Sequence, residues 1–145
     1  KLILPGDGEL FEKVEQIISD KNLSTQIKLP GWINRDEIAE YYNKSHLAIV
    51  PSKSETLGHN IIEPLAYGIP VISFPVGIAP DIARESCAVQ VIDFYAADDM
   101  LTLVEQFLQD VAVHKKMSKE ALRYIKKNLT WDTHIVKYKK IINEL

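Results

Sequence analysis

The chain has 145 residues, of which 46% are hydrophobic and 26% are charged, values that are ordinary for one soluble globular domain with its own core. Its formal net charge of −3 argues against a general nucleic-acid-binding protein, and its apolar runs are far shorter than the ~20 residues of a membrane-spanning helix. The only cysteine is Cys87, which excludes an intrachain disulfide and favours a reducing, cytoplasmic setting.

Short aliphatic runs followed by turn residues predict a series of β-strands. Leu47–Val50 is a continuous apolar run bounded by Pro51 and Ser52, which is typical of a buried central strand. In chain order, the predicted strands are Leu2–Leu4, Gln26–Leu29, Leu47–Val50, Val71–Phe74 and Val89–Ile92.

Helical patterns lie between these strands, and only helical patterns follow the last one. The helix after Leu47–Val50 is predicted to open at Gly58 or His59, and Gly68 stands at the position where glycine usually closes a helix. The other predicted helices are Leu10–Ile18, a helix with Asn34 and Glu37 as its capping pair that runs to about Ser45, Ile78–Arg84, and three closing helices marked by Leu101, Met117 and Trp131.

Strands that alternate with helices predict a parallel sheet with helices on both faces, because parallel neighbours need a crossover of about a dozen residues. The predicted fold class is therefore α/β, a Rossmann-like domain that ends in an all-helical segment. Ligands of such folds bind beyond the carboxyl ends of the strands. The loops in which to search for a site are Gly6–Glu9, Gly31–Asp36, Ser52–Gly58 and Phe74–Ile78.

The C-terminal segment is basic, although the chain as a whole is acidic. From Val113 onward there are nine Lys and Arg residues against three acidic residues. The simpler interpretation is a solvated, Lys-rich helical face. The other is a surface attracted to an acidic partner or to an anionic membrane, which would place the full-length protein peripherally at the inner face of the membrane.

The segment 51–72 holds the residues that predict a function. Glu55 and Glu63 flank a turn that leads into a helix, and residues 57–60 present backbone N–H groups at its start. Such N–H groups and the helix dipole form a site suited to phosphate, and Gly58 lets the backbone approach a ligand closely. A carboxylate on each side suits a ligand with hydroxyl groups at both ends. A nucleotide sugar, with ribose, diphosphate and hexose in a row, has this layout.

This segment resembles the E-x7-E motif of the retaining GT-B glycosyltransferases called group 1, with Glu55 and Glu63 as the two glutamates. The resemblance includes the Pro-Ser before the motif and covers most of residues 1–92, while the closing helices fit it loosely. Further matching segments are the run E-P-L-A-Y-G-I-P-V-I at 63–72, Gly6-Asp7-Gly8-Glu9, Gly31-Trp32, Asp36-Glu37-Ile38 and Tyr41-Tyr42.

The resemblance implies an enzyme that transfers a hexose from a nucleoside-diphosphate sugar to a glycan or lipid-linked acceptor, without a metal or other cofactor. Glu55, the assigned catalytic residue, would hydrogen-bond the donor hexose, and Glu63 would take the ribose hydroxyl groups. Trp32 either stacks on the base or lies at the edge of the core. The other implied substrate-binding residues are Gly6 and Gly8 at the phosphate end, Gly31, Trp32 and Ile33 beside the base, and Thr56, Leu57, Gly58, His59 and Asn60 at the diphosphate or sugar.

Some features depart from the family pattern. Pro64 stands where most members have alanine, in the first turns of the helix, where a missing N–H costs little. His59 replaces a commoner apolar residue. The family's diphosphate-binding Arg and Lys lie in a strand–helix unit before the position that matches Lys1. We therefore expect residues 1–145 to be a donor-binding domain, incomplete at its N-terminus, without the acceptor-binding domain and unable to transfer sugar alone.

Two other functions remain open at this point, a non-catalytic nucleotide-sugar-binding or scaffold domain and another GT-B enzyme such as a sugar-nucleotide epimerase. A CheY-like signalling domain would need clustered aspartates at strand ends, where this chain has Pro51 and Pro75. NAD binding is rejected because Phe11 stands where the G-x-G-x-x-G pattern begun at Gly6 needs its third glycine. We interpret four further residues as structural: His46, His114, His134 and Cys87.

Overall fold

The computed structural model describes residues 1–94 and 96–144, and the chain divides into two compact units, Lys1–Tyr41 and Tyr42–Leu145. The first unit has a two-stranded parallel sheet, because a helix returns the chain to the start of the second strand. Its elements are β1 (Leu2–Pro5), α1 (Phe11–Asp20) and β2 (Ile27–Gly31), and α2 (Ile38–Asn43) crosses the boundary between the units.

The second unit contains a three-stranded parallel sheet in the order β3–β4–β5, followed by three helices. Ala48 is level with Val71, and Val71 is level with Val89. The elements are β3 (Ala48–Val50), α3 (His59–Ala66), β4 (Val71–Ser73), α4 (Ala79–Glu85), β5 (Val89–Val91), α5 (Ala97–Gln109), α6 (Val111–Asn128) and α7 (Trp131–Asn143).

The core of the second unit is built on β4, the central strand, whose three residues are all buried. α3 packs against β3, β4 and α6, and the Ser118 hydroxyl on α6 donates to the Gly68 carbonyl oxygen at 2.6 Å. The residues of this core that are at most 1% exposed include Ile61, Leu65, Val71, Ile72 and Ile82. A strand with no exposed residue requires cover on both faces of its sheet, so the α/β prediction is confirmed.

The arrangement of the strands differs from the expectation in two respects. The strands expected in one sheet lie in two separate parallel sheets, β1–β2 and β3–β4–β5. The expected central strand, β3, is at the edge of its sheet, and its Ile49 is 37% exposed. An apolar run reports how hydrophobic a strand is, but it does not encode the order of the strands in the sheet.

Two local expectations on helices are also wrong. The helix expected after Asn34 begins only at Ile38, because residues 34–37 form a turn in which the Asn34 carbonyl oxygen accepts from the N–H groups of Glu37 and Ile38 at 3.0 and 3.1 Å. Pro64 is the sixth residue of α3, beyond the first turn, so its missing N–H removes a regular helical hydrogen bond to Asn60.

The last helix carries a large apolar surface. None of the described residues of α7 is buried, and Trp131 and Ile142 are 84% and 66% exposed. Among the residues that the structure describes, no helix is both long and apolar enough to span a membrane.

We predict that Leu65→Ala lowers the free energy of unfolding of the second unit by about 2–5 kcal/mol, because the fully buried side chain leaves a cavity. Leu101→Ala, which truncates a leucine that is 61% exposed, should change it by less than about 0.5 kcal/mol. Urea unfolding followed by circular dichroism measures both values. Equal losses would contradict the assignment of Leu65 to the core.

Candidate nucleotide-sugar site

In the first unit, two predicted glycines meet at the carboxyl ends of the parallel strands. The Gly6 N–H donates to the Gly31 carbonyl oxygen at 2.7 Å, directly beyond β1 and at the end of β2. Their φ angles are +126° and +72°, and a Cβ at either position would meet no atom within 4 Å. The backbone at this edge of the sheet is therefore open to a ligand.

The neighbouring predicted residues lie around the same edge. The Gly8 carbonyl oxygen accepts from the Phe11 N–H at 2.8 Å and closes the turn before α1. Ile33 is half-buried, whereas the Trp32 side chain is 73% exposed. The alternative of a tryptophan at the edge of the core is therefore wrong, and stacking of Trp32 on a base stays a prediction.

In the second unit, the start of α3 presents backbone donors. Gly58 is its N-cap residue, with a φ of +92°, and the Gly58 carbonyl oxygen accepts from the N–H groups of Ile61 and Ile62. The N–H groups of residues 57–60 have no acceptor within the described parts of the chain. These donors and the positive end of the helix dipole favour an anion at this position. Thr56, Leu57, His59 and Asn60 are exposed there.

The loop before α3 is held by the turn after β4. The Ile78 N–H donates to the Leu57 carbonyl oxygen at 2.9 Å. A Cβ on Gly77 would lie 2.8 Å from the Leu57 carbonyl carbon and 3.2 Å from the Glu55 Cβ, so only glycine fits without a shift of backbone. Gly77 also has a φ of +50°. Phe74–Ile78 is one of the predicted ligand-binding loops, but no sequence pattern gives Gly77 a role in it.

Both predicted glutamates are held by neutral hydrogen-bond donors. The Asn60 side-chain amide donates to Glu55 Oε1 at 2.8 Å, reaching back from the first turn of α3 to the preceding loop. The Tyr42 hydroxyl donates to Glu63 Oε2 at 3.3 Å. A neutral donor fixes a carboxylate without cancelling its charge, so both glutamates can still accept hydrogen bonds from sugar hydroxyl groups.

The Tyr42 phenol is the group of this site whose titration is most strongly perturbed. Its partial burial, followed by the negative charge and hydrogen bond of Glu63 and by the neighbouring Tyr67, raises its pKa to about 12. The phenol is therefore protonated, and able to donate, across the neutral pH range. In the sequence, Tyr41-Tyr42 contributes only to the family resemblance, and no pattern gives either residue a role in the site.

The cavities of the second unit lie away from these residues. A cavity of about 670 Å³ lies beside β4, α5 and α6, and Ile72, Phe107 and Met117 are among its lining residues. A smaller cavity of about 130 Å³ includes His46 and His114, whose ring centroids are 5.9 Å apart. Neither of these two cavities is lined by a predicted site residue. Residues 1–94 and 96–144 contain no cluster of three His, Cys, Asp or Glu side chains suited to a metal ion.

Parallel sheets with helices on both sides match the domains of GT-B glycosyltransferases. A family model described as Glycosyl transferases group 1 matches residues 1–124, and the chain belongs to this family.

Relatives that carry glycosyltransferase names agree with this assignment, and solved structures share the fold. The chain is 28% identical over 142 residues to an uncharacterised glycosyltransferase of Methanocaldococcus jannaschii, covering 98% of this chain and 40% of that protein. It is 23% identical to N-acetyl-alpha-D-glucosaminyl L-malate synthase of Bacillus anthracis, covering 97% and 36%. The chain thus spans less than half the length of these two relatives. The fold is similar to that of Anabaena Alr3699/HepE in complex with UDP, with a TM-score of 0.85, 17% identity and coverage of 99% and 40%.

We predict that Gly77→Ala destabilises the second unit more than Gly68→Ala does, by at least about 1 kcal/mol. Both glycines have a positive φ, which is +50° for Gly77 and +73° for Gly68, so an alanine at either position would carry similar backbone strain. A Cβ on Gly68 meets only side-chain atoms of Leu122 and Ser118, which can shift, whereas one on Gly77 meets the Leu57 backbone. Urea unfolding compares the two variants, and equal losses would show that the Leu57 backbone yields easily.

Proposed function

We propose that residues 1–145 are the nucleotide-sugar-binding domain of a retaining hexosyltransferase. The full-length enzyme would transfer a hexose from a nucleoside-diphosphate sugar to a glycan or lipid-linked acceptor. The observation that carries the proposal is the set of backbone donors at the start of α3, with Glu55 in the loop before it and Glu63 within the helix. Membership of the group 1 family supports it, as do the structures of Anabaena HepE with UDP and with UDP-glucose.

The proposed reaction breaks the bond between the anomeric carbon and the diphosphate oxygen. An acceptor hydroxyl oxygen bonds the same carbon with retained configuration, and the proton of that hydroxyl passes to the departing diphosphate oxygen. Negative charge develops on the departing diphosphate, where the N–H groups of residues 57–60 and the α3 dipole would stabilise it. Because this stabilisation comes from the backbone, we propose that the donor binds without a metal ion.

The two glutamates would have different tasks in this scheme. Glu63 lies within α3, where the helix fixes its backbone, and would accept hydrogen bonds from the two ribose hydroxyl groups. Glu55 lies in the loop before α3 and would accept from hydroxyl groups of the hexose. The roles of Gly6, Gly8 and Gly31–Ile33 remain predictions of the family resemblance.

Two further parts of the proposal are an acceptor-binding domain, which membership of the group 1 family supports, and peripheral membrane association, which the basic surface of α6 and α7 supports. Lys115, Lys116, Lys119, Lys126 and Lys127 lie on α6, and Lys137, Lys139 and Lys140 lie on α7. We propose that the full-length protein includes an acceptor-binding domain and associates peripherally with an anionic membrane face. A Lys-rich surface would contribute about 1 kcal/mol per Lys near such a membrane.

We predict that Glu63→Ala and Glu55→Ala affect binding of a nucleoside diphosphate differently. In the full-length protein, Glu63→Ala should lower the affinity for UDP about ten- to a hundredfold, because a hydrogen bond to a charged group is worth roughly 1.5–3 kcal/mol. Glu55→Ala should change UDP affinity less than about twofold, since UDP has no hexose, and should mainly lower turnover. Isothermal titration calorimetry measures both affinities, with ADP and GDP run beside UDP.

Glu105→Ala is the matched control, because it removes an exposed glutamate from α5, away from the start of α3. A chelator should leave the UDP affinity of the unmodified protein unchanged. Equal losses in Glu55→Ala and Glu63→Ala, or a loss only in Glu55→Ala, would mean that the two tasks are reversed or that the ligand is wrong. An affinity that disappears with the chelator would refute metal-independent binding.

We also predict that the 145-residue chain alone transfers no sugar. Transfer requires the acceptor to be held against the donor in a closed cleft, a task that we assign to the proposed acceptor-binding domain. A chromatographic product assay with a panel of nucleotide sugars, and with the full-length protein as the positive control, tests this. Transfer above background by residues 1–145 would contradict it.

A further inference from the structure

Tyr42 connects Glu63 of α3 with Tyr67, the residue that caps the C-terminal end of that helix. Its hydroxyl reaches Glu63, and its ring stacks on Tyr67, with ring centroids 5.1 Å apart and planes at 30°. Glu63 and Tyr67 are four residues apart, so their side chains leave the helix on the same face. Aromatic stacking at this distance is favourable in itself. The Tyr42 ring is therefore held in place beside the carboxylate to which its hydroxyl donates.

The contact restricts how the Glu63 carboxylate can turn. Glu63 is exposed, and an exposed glutamate on a helix ordinarily samples several side-chain rotamers. The hydrogen bond to Oε2 favours one of them, although its 3.3 Å length is greater than the usual 2.5–3.0 Å for a hydroxyl donor. Oε1 and one lone pair of Oε2 are left to accept hydrogen bonds. Two adjacent hydroxyl groups can donate to those two oxygen atoms together only when the carboxylate is correctly oriented.

We propose that Tyr42 is a positioning residue that orients Glu63 for a vicinal diol and so makes the site select ribonucleotides over 2′-deoxyribonucleotides. This inference rests on the proposed function, in which Glu63 accepts from the ribose. The raised pKa of Tyr42 supports it, because the donor does not titrate at neutral pH. A positively charged donor at the same place would also hold the carboxylate, but it would compete with the ligand for hydrogen bonds to that carboxylate.

The test compares UDP with 2′-deoxy-UDP by isothermal titration calorimetry on the full-length protein. Unmodified protein should bind UDP at least tenfold more tightly than 2′-deoxy-UDP. Tyr42→Phe keeps the stacked ring and removes only the hydroxyl, so the affinity for UDP should fall about three- to tenfold and the affinity for 2′-deoxy-UDP should change less than twofold. The ratio of the two affinities should therefore fall by nearly the same factor as the UDP affinity. In a Glu63→Gln background, Tyr42→Phe should cause no further loss.

Tyr138→Phe is the control, because it removes a phenol oxygen from the exposed surface of α7 and should leave both affinities unchanged. Thermal unfolding of Tyr42→Phe should match that of the unmodified protein, which separates orientation from loss of fold. If Tyr42→Phe weakens both nucleotides equally, or neither, the positioning role is overturned while the proposed function stands. If the unmodified protein binds UDP, ADP and GDP no better than Glu63→Ala does, both proposals are overturned.

Discussion

The candidate site of the second unit depends on one close approach of backbone to backbone, between Leu57 and the Gly77–Ile78 turn. The hydrogen bond from the Ile78 N–H and the absence of space for a Cβ on Gly77 fix the path of the chain before α3. That path brings Glu55 within 2.8 Å of the Asn60 amide, and the first N–H groups of α3 have no acceptor among the described residues. The geometry of the candidate anion site therefore follows from the course of two loops rather than from side chains that could move independently.

The candidate site combines two carboxylates, which accept hydrogen bonds, with backbone N–H groups, which donate them. Within the described residues, no Lys or Arg forms an ion pair with Glu55 or Glu63, and each receives a hydrogen bond from a neutral group instead. Neither carboxylate is neutralised by an ion pair within the described residues, so both can accept hydrogen bonds from hydroxyl groups, while the backbone N–H groups between them can donate to an anion. A polar ligand that alternates hydroxyl groups with phosphate matches this sequence of acceptors and donors.

The sequence was informative where the signal is local. The bounds of α3 were predicted closely because Gly58 and Gly68 mark its ends, and strands such as Val71–Phe74 were found from aliphatic runs. The order of the strands was not predictable, since hydrophobicity does not record which strands pair. The contact of Tyr42 with Glu63 joins residues 21 positions apart, and no periodicity connects them. The need for glycine at position 77 likewise arises from a loop that is distant in sequence.

The exposure of the two tryptophans has an optical consequence. Trp32 and Trp131 are the only indoles of the chain, they lie in different units, and both rings are largely in water. Indole emission shifts to shorter wavelength when the ring leaves water, and it is quenched by a stacked base. A chain that keeps Trp32 alone would therefore report on events at the edge of the first sheet, and a chain that keeps Trp131 alone would report on burial of α7. Each unit carries its own intrinsic fluorophore.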